Sequence, residues 1–98
     1  METGIELIAA ERERQITAEG WTPAHDDAHQ NAEMTHGARC YLGHALGLEY
    51  GMERQPRKPI EWPWDAEWWK PSTDPVRDLV KAAALIAAEI DRLSRMND

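Results

Sequence analysis

The sequence predicts an all-α protein, and three observations support this fold class. Apolar residues recur at three- and four-residue spacing near the C-terminus, which is typical of an amphipathic helix. No segment alternates apolar and polar residues as a half-buried strand does. Glycine and proline clusters separate the helical stretches. We therefore expect one small domain over residues 1–98, with three helices and a long Pro/Trp-rich ordered connection between the second and third.

The first helix is predicted from about Ile5 to Ala18. Its apolar positions fall near one stripe: Ile5, Ile8, Ala9 and Ile16. Gly20 is expected to end this helix, since glycine adopts the left-handed C-cap conformation without strain.

The second helix is predicted from roughly Ala28 to Leu48, with Asp26 or Asp27 capping its N-terminus through the carboxylate. Three glycines and the sequence Thr35-His-Gly predict an irregular or interrupted helix. Its apolar face would comprise Met34, Ala38, Tyr41, Leu42, Ala45 and Leu48.

The connection over residues 51–71, which we call the strap, holds four of the six prolines and four of the five tryptophans. Loops of this length are uncommon in compact domains and are usually functional or disordered. The tryptophans argue against disorder, so we expect the strap to lie across the helices. At least two of the four indoles should cover the core, and the others are free to form a wall for a planar ligand.

The last helix begins with Asp74 as the capping residue and Pro75 in the first helical position. Its predicted apolar stripe is Val76, Leu79, Val80, Ala83, Ile86, Ala87, Ile90 and Leu93. The alanine-rich middle allows close approach of another helix, from this chain or from a second copy. Since a chain of 98 residues has a thin core, we expect a homo-oligomer, with a dimer favoured.

Composition limits the classes of partner and compartment. The net charge of −7 disfavours nonspecific nucleic-acid binding, where Lys and Arg must neutralise phosphates. The single cysteine, Cys40, cannot form an intrachain disulfide and is expected to be a small buried apolar residue in a reducing cytoplasm. Neither a signal peptide nor a membrane-length apolar run is evident, so we expect a cytoplasmic protein without a membrane partner.

A pocket for a planar ligand is the most specific functional prediction. Indole faces stack on flat rings, arginine and lysine hold phosphates, and hydroxyl, imidazole and carboxylate groups read polar edges. The candidate ligand-binding residues are Arg12, Trp21, Thr22, His25, Asp26, Asp27, Trp62, Trp64, Trp68, Trp69, Arg77 and Lys81. No catalytic residue, metal ligand or cofactor is assigned.

Two other chemistries fit the residues less well. His25 and His29 lie one helical turn apart and, with Asp26 or Asp27, could bind a divalent metal, but this spacing alone is a weak signal. Helical nucleotide pyrophosphohydrolases hold magnesium with E-x-x-E and E-x-x-D pairs, and the acidic residues of the first and last helices do not have these spacings.

Several motifs, in order, resemble a family of short uncharacterised proteins of phages and prophages. They are Glu11-Arg-Glu-Arg-Gln15, Gly20-Trp-Thr22, His25-Asp-Asp27 with His29, Trp62-Pro-Trp-Asp65, Trp68-Trp-Lys-Pro71 and Arg77-Asp-Leu-Val-Lys81. This resemblance covers most of the chain and implies little about function.

A more distant resemblance is to the ryanodine-receptor repeat domain. It rests on Gly20-Trp21, Asp26-Asp27, His29 and Arg77-Asp78 in that order. The chain has Thr22-Pro23-Ala24 where that family has Tyr-Gly-Pro, and Gln30-Asn31 where it has Pro-Cys. Bacterial and phage members of that family are suspected of binding nucleotide-derived signalling molecules, so the resemblance implies ligand capture without turnover.

These observations together predict a non-catalytic phage-type protein that sequesters a nucleotide-derived signalling molecule in the host cytoplasm and so counters host defence. One alternative is an anti-defence protein that blocks a host enzyme by surface contact. A second is a metal-dependent nucleotide pyrophosphohydrolase.

Overall fold

The computed structural model describes residues 2–97, and within them the chain is helical without a strand, so the all-α prediction is confirmed. The elements are α1 (Gly4–Glu19), α2 (Pro23–Asp26), α3 (Glu33–Glu49) and α4 (Pro75–Met96), with a 3-10 helix at Ala66–Trp68. The predicted count of three helices is therefore too low by the short α2. In this part of the chain no helix combines the length and apolar character needed to cross a membrane.

Helix α1 has the predicted ends but buries a different face. Thr3 and Glu6 form a capping box at its start, and Gly20 ends it in the left-handed conformation at φ 75°. The predicted apolar stripe is not the face that packs against the protein, since Ile5 is exposed and Ile8 and Ile16 are only half-buried. Glu11 and Gln15 are buried instead, because Glu11 forms ion pairs within the helix and across to α4.

The predicted start of the second long helix at Ala28, capped by Asp26 or Asp27, is wrong. Thr22 caps α2 by accepting from the His25 N–H, and Pro23 takes the first helical position. Both carboxylates form ion pairs instead, Asp26 with Arg12 and Asp27 with Arg95. The chain then turns, and α3 begins only at Glu33, after Ala32 at φ 60°.

The core lies between α3, α4 and the strap. From the predicted α3 face, Met34, Ala38, Tyr41 and Ala45 are buried, Leu48 is half-buried and Leu42 is exposed. Helix α4 contributes small residues and one leucine to the core: Ala82, Ala84, Leu85 and Ala88. Cys40 is buried as expected, and burial raises the pKa of its thiol to about 11.

The predicted packed face of α4 is mostly wrong. Only Val80 of that stripe is buried, and the larger members Val76, Leu79, Ile86, Ile90 and Leu93 remain exposed. A second stripe on the same helix packs against the protein, and it includes the polar residues Asp78, Glu89 and Arg92. The sequence pattern favoured the more hydrophobic stripe, whereas the packed stripe is made of alanines, one leucine and paired charges.

Hydrogen bonds join both ends of the strap to the helices. Near its start, the backbone N–H of Gln55 donates to Nε2 of His44 on α3, at 2.9 Å. Near its end, the backbone N–H of Lys70 donates to the Tyr41 hydroxyl, and Lys81 of α4 donates to the Lys70 carbonyl. Just beyond the strap, the Ser72 N–H donates to the buried carboxylate of Asp78.

Trp64 approaches α3 so closely that the helix needs a glycine there. A Cβ at Gly37 would lie 2.5 Å from Cζ3 of Trp64, whereas a Cβ at Gly43 would meet nothing within 4 Å. We expect Gly37→Ala to displace the indole and lower the free energy of unfolding by about 1–3 kcal/mol. Gly43→Ala, the matched control on the same helix, should raise it by roughly 0.5–1 kcal/mol. Urea unfolding measures both, and shifts of the same sign would contradict this contact.

Candidate functional site

A hollow of about 130 Å³ opens where α1, α2, α3, α4 and the strap meet. Three indoles form its aromatic walls, and two imidazoles and an Arg–Asp pair form its polar part. The complete lining is Arg12, Trp21, His25, Asp26, His29, Met34, Trp64, Trp68, Leu85 and Ala88. Six of the predicted ligand-binding residues therefore lie together around one cavity.

Local structure positions each indole. The left-handed turn at Gly20 directs Trp21 back over α1, and the Trp21 N–H donates to the Gln15 carbonyl. The 3-10 helix of the strap presents Trp68, whose ring carries the Lys70 ammonium at 5.5 Å from the centroid. Trp64 reaches the hollow through the space left by Gly37.

Trp21 packs against both of the other indoles with the ring planes tilted. The ring centroids of Trp21 and Trp64 are 6.0 Å apart with planes inclined at 32°, and those of Trp21 and Trp68 are 6.1 Å apart at 54°. Tilted rings at this spacing pack favourably against each other. All three indoles line the hollow, so a ligand inside it would contact aromatic surface.

The polar part of the hollow is built on Arg12. Its Nη2 donates to Oδ2 of Asp26, and its Nη1 donates to the Trp21 carbonyl at 3.1 Å. This ties α1, the Gly20 turn and α2 together, with Asp26 almost fully buried. A donor group and an acceptor group thus lie side by side at one end of an aromatic cavity.

The two histidines that line the hollow, His25 and His29, pack edge-on against each other. Their ring centroids are 4.8 Å apart at 74°, and His29 also packs edge-on against Trp64. Nδ1 of His29 lies 3.2 Å from the Glu33 carboxylate. Burial alone would raise the pKa of Glu33, but hydrogen bonds from the Asn31 and Glu33 N–H groups and from His29 outweigh it and lower that pKa.

Trp62 and Trp69 belong to the core and do not line the hollow. The Nε1–H of Trp62 donates to the Asp65 carbonyl, and that of Trp69 donates to the Gln55 carbonyl. Trp62 stands edge-on behind Trp64, with centroids 5.1 Å apart at 81°. These two indoles therefore support the wall that the other strap indoles form.

Four other predicted site residues also lie outside the hollow. Arg77 pairs with Glu11, and Lys81 donates to the Lys70 carbonyl and lies over the Tyr41 ring. Burial lowers the pKa of Lys81. Thr22 caps α2 and Asp27 pairs with Arg95. Of the three cations expected to hold phosphates, Arg77 and Lys81 are therefore engaged away from this cavity, whereas Arg12 lines it.

Sequence reasoning missed the floor of the hollow. Met34, Leu85 and Ala88 form it, and the sequence pattern predicts for Met34 only a place on the apolar face of a helix. His29 was noted for its spacing from His25 but was not among the predicted ligand-binding residues. The sequence signal for this close packing is Gly37, because a glycine inside a helix can mark the close approach of another group, here Trp64.

Two of the acidic residues considered for magnesium, Glu11 and Glu89, are engaged in ion pairs. Glu11 bonds to Arg14 and Arg77, and these bonds outweigh burial and lower its pKa. Glu89 bonds to Arg92 on the same helix. Within residues 2–97, His, Cys, Asp and Glu side chains do not gather in groups of three that could hold a metal ion.

Comparison of the chain with protein-family models, with curated proteins and with solved structures gave no match.

Proposed function

We propose that this protein is a non-catalytic binding protein for a nucleotide-derived small molecule, which it captures by the base. The observation that carries the proposal is the hollow between Trp21, Trp64 and Trp68 with the Arg12–Asp26 pair at its polar end. Base stacking on aromatic side chains contributes about 1–3 kcal/mol per base and tolerates any base, since every base has a π-face.

The size of the hollow favours one base, and not a whole nucleotide, as the occupant. Its 130 Å³ is close to the roughly 150 Å³ of a cavity that accommodates one benzene ring. Pockets that enclose drug-sized ligands measure about 300–1,000 Å³. The base would therefore enter, and the sugar and phosphates would remain outside.

The polar end favours a base that offers both a donor and an acceptor on one edge. The Arg12 guanidinium supplies donors and the Asp26 carboxylate supplies an acceptor, and each group keeps its partner when the ligand leaves. Adenine presents this combination as its N6 amino group beside a ring nitrogen. Guanine and cytosine also carry a donor beside an acceptor, so adenine-containing ligands are the first probes among the bases that fit.

Two of the three cations that were expected to hold phosphates, Arg77 and Lys81, are engaged away from the hollow, and the third, Arg12, is paired with Asp26. The whole chain carries a net charge of −7. Phosphates should therefore add little to binding. We expect adenosine and AMP to bind with affinities that differ by less than about tenfold, that is by less than about 1.4 kcal/mol.

Calorimetric titration with adenosine, AMP, cyclic dinucleotides and ADP-ribose measures this directly. We expect Trp21→Ala to weaken binding by roughly 5- to 150-fold, in line with loss of one stacking face. Tyr50→Ala removes an exposed aromatic that does not line the hollow and should leave the affinity unchanged. Absence of heat with every probe, or equal loss in both variants, contradicts the proposal.

The biological use of such capture would be sequestration of a signal, since the resemblance to the ryanodine-receptor repeat domain implies ligand capture without turnover. Sequestration needs a protein that holds its ligand intact. Recovery of the unaltered nucleotide after prolonged incubation with magnesium supports it, and release of phosphate or pyrophosphate would favour the hydrolase alternative.

A further inference from the structure

The exposed stripe of α4 has the spacing of a coiled-coil seam. Its members follow one another at intervals of three, four, three, four and three residues: Val76, Leu79, Ala83, Ile86, Ile90 and Leu93. Apolar residues with this repeat keep one seam directed at a partner helix. The five large members are 38–57% exposed, so the seam has no partner helix within the described part of the chain.

An apolar groove of about 410 Å³ runs along the N-terminal half of the seam, and Val76, Leu79, Ala83 and Ile86 line it. Gly4, Leu7 and Ile8 of α1 form one side, and Leu42 of α3 contributes to the other. Its lining residues carry no charged side chain. Surfaces that are contiguous and apolar in this way mark interaction sites.

We propose that a second copy of this chain covers the face, with the two α4 helices packed antiparallel about a two-fold axis. In the register that centres the axis between Ala83 and Ile86, every seam residue has a seam partner. Val76 faces Leu93 of the partner subunit, Leu79 faces Ile90 of the partner subunit, and Ala83 faces Ile86 of the partner subunit. The small residue opposes a large one at the centre, which fills the layer evenly.

The residues beside the seam suit a self-complementary contact. Val80, Ala82 and Ala87 flank it without charge, and Glu89 is already paired with Arg92 of its own helix. A two-fold axis brings identical patches together, so unpaired like charges there would repel. A parallel pair would instead set Ala83 against its own copy and leave a thin layer.

The chain exposes more surface than a monomer of its mass is expected to, which also favours a partner. A monomeric protein of 11.2 kDa is expected to expose about 5,700 Å². This chain exposes 6341 Å². The difference of several hundred Å² approaches the roughly 800 Å² that each partner buries in a standard interface.

The dimer face is separate from the hollow. Leu85 and Ala88, which floor the hollow, belong to the packed stripe of α4, whereas Ile86 and Ile90 point to the exposed side. Dimerisation would thus leave one open hollow on each protomer. The dimer and the ligand-binding proposal consequently stand or fall independently.

Light scattering coupled to size exclusion tests the dimer. We expect the wild-type protein to have twice the 11.2 kDa chain mass at micromolar concentration. Ile86→Glu should weaken the dimer at least about 100-fold, because both copies lose a buried side chain. Leu93→Glu is the second variant, and Ile60→Glu, which alters a residue 99% exposed in the strap, is the control and should stay dimeric.

Helical circular dichroism accompanies each variant, since the altered side chains are exposed within the monomer and the fold should persist. A monomeric wild-type protein would overturn the proposal. So would a dimer that Ile86→Glu and Leu93→Glu leave intact while both variants remain helical.

Disulfide trapping tests the register. The double variant Leu79→Cys with Ile90→Cys should give a covalent dimer on mild oxidation, whereas either single variant should not. The two positions lie about 16 Å apart on one helix, too far for a bridge within the chain. Cys40 is buried, and its raised pKa keeps it unreactive. Efficient cross-linking of either single variant would contradict the antiparallel arrangement.

Discussion

Replacing Asp78 by alanine is expected to lower the free energy of unfolding by about 3–5 kcal/mol. The Asp78 side chain is fully buried at the start of α4 and accepts two hydrogen bonds. Nδ1 of His44 donates to it at 2.6 Å, and the Ser72 N–H donates at 2.9 Å. The substitution would leave a buried imidazole and a backbone N–H without their acceptor.

The network also fixes the tautomer of His44. Its Nε2 accepts from the Gln55 N–H, so the ring proton is on Nδ1 and is donated to Asp78. Asp78 therefore holds the chain near both ends of the strap, directly through Ser72 just after its end and through His44 and Gln55 near its start. Its loss should loosen the strap as well as destabilise the helix pair.

Denaturant unfolding followed by circular dichroism measures the effect. Asp91→Ala, which removes an exposed carboxylate from the same helix, is the matched control and should change stability by less than about 0.5 kcal/mol. A loss below 1 kcal/mol for Asp78→Ala would mean that this network is not a main support of the fold.

The second large effect is expected for Trp62→Ala, which should cost about 3–5 kcal/mol. The Trp62 ring is 4% exposed and packs edge-on against Tyr41 and Trp69 as well as Trp64. Its removal leaves a cavity at the centre of the aromatic cluster and takes away one of the two hydrogen bonds that the Asp65 carbonyl accepts, the other coming from the Trp68 N–H. Because Trp62 stands behind Trp64, the wall of the hollow should move as well.

Thermal or denaturant unfolding tests this prediction, with Ile60→Ala as the control within the same strap. Ile60 is exposed, so its truncation should have little effect. Trp62→Ala should also weaken adenosine binding, even though Trp62 does not line the hollow. Equal stabilities of the two variants would contradict the assignment of Trp62 to the core.

The helical ends were predictable because they depend on local chemistry. Gly20 ends α1 and Asp74 with Pro75 begins α4, as the sequence predicts. The start of α3 was not predictable in the same way, since the choice of Asp26 for Arg12 and of Asp27 for Arg95 is made by tertiary contacts. A capping motif at Thr22 competed with the one at Asp26 and Asp27, and the Thr-Pro start formed instead.

The packed face of α4 shows why periodicity alone misleads. Its most hydrophobic stripe faces outwards, and the stripe that contains Asp78 and Glu89 faces the core. The spacing of hydrophobic residues carries no information about the hydrogen bonds that Asp78 accepts from His44 and Ser72. It also does not show that alanines leave space for the indoles of the strap. For the site, the sequence indicated Trp21, Trp64 and Trp68, but it could not separate them from Trp62 and Trp69, because all five are the same residue type.

The division of the tryptophans into two groups is the central claim, and indole N–H resonances test it most directly. Five such resonances are expected in a ¹H–¹⁵N correlation spectrum, and single Trp→Phe variants assign them. On titration with adenosine we predict that the signals of Trp21, Trp64 and Trp68 shift, while those of Trp62 and Trp69 stay in place. Five unmoved signals at millimolar adenosine, or shifts confined to Trp62 and Trp69, would contradict the account.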